Sequence, residues 1–230
     1  MSVIDTRWKD LYKTAGVAAI ISELVILLGI VTYLTYPYTP GKDTTESILL
    51  LLQTDPLGGL ISLDIFLFIG NLFSLMLFLA LYISLRQVNE SVALIALAVG
   101  VIGLILLIPA RPILEIFNLS KALASATTEA EKNLILAAGT TLLAQFDGIG
   151  WYMNTLLGGL SLLASSFLML RSDIFSKSTA YVGIATNLIL CMFVIPPISI
   201  FMLFICLPGY MTWYILLARR FFQLGRGSSK

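Results

Sequence analysis

Apolar residues run along this chain in blocks of about 20, each closed by a short polar break, and a helical block of that length matches the hydrocarbon thickness of a bilayer. Basic residues stand at the ends of most blocks, at Lys13, Arg86, Arg171, Lys177 and Arg219. Counting from these anchors predicts six transmembrane helices at about 14–36, 57–86, 91–110, 148–171, 178–197 and 199–219. The stretch 111–146 breaks the rhythm. It divides into two amphipathic halves, with Ile113, Phe117 and Leu119 in the first and Leu134, Ile135, Leu142 and Leu143 in the second. Glu129, Glu131 and Lys132 interrupt it, which excludes a seventh span. Thr128-Glu129-Ala130-Glu131 reads as a capping box, so the second half starts as a helix there. The pattern predicts a helical lid at the outer interface, lying in the headgroups or folded over the bundle mouth.

The breaks carry their own signals. Pro37 to Asp55 reads as a polar outer loop, with Asp55-Pro56 as a helix start. Pro196-Pro197 forms the joint between the fifth and sixth helices, and Pro208-Gly209 predicts a break within the sixth.

Composition agrees with the periodicity: of 230 residues, 58% are hydrophobic and 12% charged, with a mean hydropathy of +0.96. Soluble domains do not reach such values, and the chain is expected to be an all-α polytopic membrane helical bundle, a single integral membrane domain over 1–230. Ten Lys and Arg fall on one side of the predicted bundle and four, Lys42, Arg111, Lys121 and Lys132, on the other. The positive-inside rule then puts both termini in the cytoplasm of a multi-pass cell-membrane protein. The first block is too long for a signal-peptide core and reads as an uncleaved span.

A net charge of +1 and the lack of a basic run with interleaved aromatics exclude nucleic acid as a partner. Membrane lipids are the expected partners, with a homodimer or a membrane complex also open. Histidine is absent, and the two cysteines form no CxxC. No cofactor or metal is expected.

Against this apolar background a few polar residues stand out. Asp64 and Asn71 share one helix face about two turns apart, and Asp147 and Asn154 repeat that spacing. By the anchor count the aspartates and Arg111, with Glu115 nearby, lie at the outer boundary, and the asparagines lie deeper. Glu23 and Asn187 each follow a basic anchor by ten residues and fall near mid-membrane. An ionisable group at that depth costs at least about 2.5 kcal/mol, which demands a reason. Glu23 is either a proton- or cation-binding carboxylate or a hydrogen-bonded brace to Asn187 or Thr186. Asp147 alone reads equally as a helix cap, and Asp64 as a structural partner of Arg111.

Other features point to packing. Ala96-x3-Gly100, Gly100-x2-Gly103 and Ser161-x3-Ser165 are seams for close helix approach or for a homodimer face. Tyr33, Tyr36, Tyr38, Trp151 and Tyr152 suggest an outer aromatic belt, and Trp213 and Tyr214 suggest core packing. Cys191 and Cys206 read as buried reduced thiols.

Asn89-Glu90-Ser91 ahead of the third helix, the stretch Leu142 to Gly150 entering the fourth, and Leu207-Pro208 in the sixth carry a family likeness. In these the chain resembles the bacterial and archaeal membrane family catalogued as domain of unknown function 4386. The resemblance implies six spans with an outer helical segment after the third, and no particular activity. Members of that family carry charges in the third and sixth helices where this chain has apolar Val92 to Ile108 and Leu207 to Tyr210.

The expected function is binding or translocation of a small solute, cation or proton through an outward-facing, acid-lined cavity. Its site would comprise Glu23, Asp64, Asn71, Arg111, Asp147, Asn154 and Asn187. A non-catalytic accessory or scaffold subunit is the alternative. A lipid-modifying enzyme is the second, disfavoured because neither DxxD nor HxxxD is present, so no enzymatic activity is expected.

Overall fold

A computed structural model describes residues 6–35 and 43–227. Among them the secondary structure is helical throughout. The ten α-helices are α1 (Lys9–Thr35), α2 (Thr45–Thr54), α3 (Pro56–Ser62), α4 (Ile65–Leu85), α5 (Glu90–Ala110), α6 (Ile113–Ser125), α7 (Glu129–Leu143), α8 (Ile149–Leu170), α9 (Lys177–Cys191) and α10 (Ser199–Gly225). Six stretches are long and apolar enough to cross a membrane: Lys9–Val31, Ile65–Leu85, Glu90–Ser125, Glu129–Leu170, Lys177–Val194 and Phe201–Gly225. The third runs on from α5 into α6, and the fourth joins α7 to α8.

Local chemistry explains most boundaries. Asp55 caps α3 by accepting a 3.0 Å hydrogen bond from the Gly58 amide, with Pro56 at the first helical position. The predicted capping box at α7 is complete, with Thr128 and Glu131 each bonding the other's end of the turn. Four features depart from the sequence expectation. The stretch read as a polar loop contains α2, capped by Thr44 and burying Ile48, Leu49 and Leu52. The second predicted span is interrupted at Asp64, whose φ of 61° is left-handed, a conformation that aspartate tolerates better than most side chains. Helix α9 stops at Cys191 and gives way to two 3₁₀ turns, because Pro196 and Pro197 supply no amide hydrogens. Conversely α10 runs unbroken through Pro208 and Gly209, where a break was expected.

The chain forms two compact units. The first comprises Met1–Leu24, Gly70–Ile105 and Tyr152–Lys230. Its core includes Tyr12, Leu81, Met169, Trp213, Leu217 and Phe221. Small residues let its helices approach closely. The Ser161 hydroxyl donates to the Ala96 carbonyl at 2.6 Å, and a methyl group on Gly100 would sit 2.7 Å from that same hydroxyl. These seams therefore join α5 to α8 within the chain. Along α5 the buried positions Ala93, Ala96, Gly100, Gly103, Leu107 and Ala110 recur every three or four residues, while Ile95, Ile102, Ile105 and Ile108 face outward. Small residues inside and large apolar ones outside is the arrangement a lipid solvent favours.

The second unit comprises Val25–Ile69 and Leu106–Trp151. Its core gathers Leu49, Leu52, Leu63, Ile113, Ile116 and Phe146, and α2 packs on α6 and α7. Polar contacts fix that docking: Ser120 donates to the Leu49 carbonyl at 2.7 Å, and Gln53 to the Ser120 carbonyl at 2.8 Å. Of the two predicted lid helices, α6 buries Ile113 as expected, and in α7 Leu143 is buried with Ile135 and Leu142 packed on the same core, as expected, whereas Leu134 is exposed.

Candidate functional site

In the first unit, α1 and α10 lie side by side. Tyr12 stacks on Phe221, and Lys13 and Gly16 meet Gly225 and Phe222, so residue numbers rise along one helix as they fall along the other. Extending that antiparallel register by about two turns brings Glu23 level with Trp213 to Ile215. Glu23 is 8% exposed, and both of its carboxylate oxygens are buried with no hydrogen-bond partner in the protein. The brace to Asn187 or Thr186 expected in one reading is not formed.

Helix α9 packs against the same helix in the same antiparallel sense. Gly183 lies against Trp213, and Gly209 against the Thr186 hydroxyl, which sets Asn187 level with Pro208 and Gly209. The Asn187 amide donates to the Gly183 carbonyl of its own helix at 2.8 Å, and its side-chain oxygen is buried and unpartnered. The Ser22 hydroxyl and the Trp213 indole nitrogen are buried without partners as well. Between the levels of Asn187 and Glu23 stand Tyr210 and Tyr214, one turn apart. Their rings stack with centroids 4.5 Å apart and their hydroxyls lie 2.7 Å from each other. The Tyr214 hydroxyl also bonds Ser74, and both phenols are within electrostatic reach of Glu23.

Buried polar groups are nearly always paired. Five buried side chains among the described residues carry an unpaired polar atom, and four of them, Ser22, Glu23, Asn187 and Trp213, fall along this thread, which marks it as the strongest candidate site. The tyrosine pair was not singled out from the sequence, where Tyr214 reads as packing. The available signal was two hydroxyl-bearing rings at a one-turn spacing on an apolar helix.

Asn71 and Asn154 also belong to the first unit, and their amides tie three helices together. Asn154 donates to the Gly103 carbonyl at 2.9 Å and to the Asn71 side-chain oxygen at 3.4 Å, while Asn71 donates to the Leu104 carbonyl at 3.3 Å.

In the second unit the Arg111 guanidinium, 3% exposed, is clamped from several directions. It bonds Asp64 at 3.1 Å and the carbonyls of Ala110 and Phe146 at 3.0 and 2.9 Å. The Phe146 and Trp151 rings cover its faces at 4.7 and 4.5 Å. Asp64, just ahead of α4, keeps 46% of its side-chain surface open. The protein crowding its other side pushes its carboxyl above the usual carboxylate range; Arg111 opposes that and Asp147 adds to it. Asp147 closes the 3₁₀ turn before α8, and Glu115 is exposed on α6. Of the expected aromatic belt, Trp151 covers Arg111 and Tyr152 packs on Phe193 at 5.5 Å. Tyr36 and Tyr38 and the Tyr33 side chain lie outside the described residues.

Among the described residues no group of three or more His, Cys, Asp or Glu is placed to hold a metal ion. Cys191 and Cys206 are free thiols.

Among the described residues, six stretches of membrane-spanning length and apolarity in an all-helical chain define a multi-pass membrane protein of the all-α class. The chain belongs to the family described as domain of unknown function DUF4386, whose model matches residues 15–218. No curated protein and no solved structure matches it.

Proposed function

We propose that this protein binds a proton or a small monovalent cation within the membrane, on Glu23, as a step in transport or in ion coupling. One observation carries the reading: a carboxyl group near the middle of the Lys9–Val31 span has both oxygens buried and neither hydrogen-bonded within the protein. A carboxyl kept only to hold helices together would be expected to use at least one oxygen. In this reading both termini are cytoplasmic, α6 and α7 lie on the outer side, and no enzymatic step is involved. Asn187 supplies a second acceptor nearer the Ser199 end of α10. Asn71 and Asn154, in the same compact unit, are further polar groups on the proposed path.

The test uses purified protein in liposomes, with charge movement recorded on rapid proton, sodium or potassium jumps. The expected result is a response in the wild type that Glu23→Gln removes while thermal stability is retained. If the wild type answers no jump, or Glu23→Gln answers as the wild type does, the reading is wrong.

A second reading, a non-catalytic accessory or scaffold subunit, has its own support. Asn71, Asn154 and Arg111 spend their hydrogen bonds on neighbouring helices, as groups that only lock a structure would. Native purification from membranes separates the two, because a scaffold brings a stoichiometric partner. A self-contained transporter runs alone or as a homodimer.

A further inference from the structure

Resting on the Glu23 reading, we infer that the species Glu23 carries is a proton, and that it reaches the carboxyl through the hydroxyls of Tyr210 and Tyr214. The donor set argues against a metal cation. Hard cations take about six or more oxygen ligands, whereas Glu23 is a single carboxyl with two phenols within electrostatic reach. Among the described residues it belongs to no group of three or more His, Cys, Asp or Glu placed to hold a metal ion. The groups around it complete the account. Helix α10 contributes Tyr210 and Tyr214, with Cys206 a turn beyond Tyr210; α9 contributes the neutral Asn187; α4 brings the neutral Ser74 against Tyr214. Among the described residues no charged side chain is paired with the Glu23 carboxyl.

The hydroxyl pair is arranged for relay. A phenol has one proton to donate, so when Tyr210 donates across the 2.7 Å contact, the Tyr214 proton is left for another acceptor. The acceptors that stand free are the partnerless oxygens of Glu23. Transfer requires the Tyr214 hydroxyl and a Glu23 oxygen to close to hydrogen-bond distance. Tyr214 then gives its proton to Glu23 and takes that of Tyr210, and Tyr210 takes one from a hydronium ion of the aqueous phase, leaving water, so neither phenol has to ionise. Tyr210 lies one turn nearer the Ser199 end of α10 than Tyr214, which gives the pair its direction.

The experiment is infrared difference spectroscopy on the full protein in lipid, with wild type, Glu23→Gln, Tyr210→Phe and Tyr214→Phe. Phenylalanine keeps the ring stacking and removes only the hydroxyl. The expected result is a carboxylic-acid carbonyl band at neutral pH that Glu23→Gln abolishes. Its exchange with deuterium should slow roughly a hundredfold in either tyrosine variant, the loss typical of removing a positioned proton-transfer group. Should Glu23→Gln not fold, Glu23→Asp makes the assignment by shifting the band. If the band is absent while sodium or potassium stabilises the wild type but not the Glu23 variant, the proton is excluded and the Glu23 site stands. If neither band nor cation response exists, both readings fall. If the band exchanges equally fast in all the tyrosine variants, the relay is wrong.

Discussion

Arg111 and Asp64 form one ion pair, but the two residues are not equivalent. Arg111 is almost wholly buried and also bonds two backbone carbonyls between two aromatic rings, whereas nearly half of Asp64 is open to its surroundings. Removing the arginine strands buried acceptors; removing the aspartate leaves the arginine with its other partners. Arg111→Ala should therefore cost about 3 kcal/mol in unfolding free energy, the scale seen when one member of a buried pair is deleted. Asp64→Asn should cost about 1 kcal/mol or less, the scale of exposed pairs. Reversible unfolding of the two variants in mixed micelles checks this, and an equal loss would contradict the asymmetry. At neutral pH the direction of the Asp64 shift does not alter the argument, because the arginine keeps its carbonyl and ring contacts when the carboxyl is protonated.

Helix boundaries and helix seams depend on different physics, and they were legible to different degrees. The capping box at Thr128 and the Asp55-Pro56 start are local chemistry between residues three apart, so the sequence displays them and the structure forms them. Helix α2 escaped notice because its ten residues sit between turn signals and their apolar face matters only once α6 and α7 cover it. The Pro208-Gly209 pair misled for a related reason. A proline removes one hydrogen bond from a helix, but packing can hold the remaining turns, and Gly209 lets α10 close directly onto Thr186 of α9. Gly183 plays the matching role one turn from Thr186, against Trp213 and the Ser166 hydroxyl. Adding a methyl there forces two side chains apart. Gly183→Ala should destabilise by about 1–3 kcal/mol through overpacking, whereas Gly158→Ala, where a methyl would meet nothing within 4 Å, should be neutral. Thermal unfolding of the two alanine variants in the same detergent decides it.

Across the whole molecule, the count of spans gives an even number of crossings, and the excess of basic residues beside both termini predicts their side. Single cysteines introduced at Asn133 and Arg226, with Cys191 and Cys206 replaced by serine, should differ under an impermeant thiol reagent applied to intact cells. Position 133 should label and position 226 should not; the reverse pattern would invert the topology. What the sequence determined by itself was the class of protein and the approximate place of each span, because a bilayer demands long uninterrupted apolar helices whatever they pack against. It also marked Glu23, since a charged residue in such a run is costly before any fold is known. Only the tertiary structure decided how the polar residues were used, because hydrogen bonding depends on which helices meet and in what register. It gave Asn71 and Asn154 to one helix lock and Arg111 to another, and set Tyr210 and Tyr214 within electrostatic reach of a carboxyl from the far end of the chain. It left that carboxyl, alone among the acids proposed from sequence, buried without a partner.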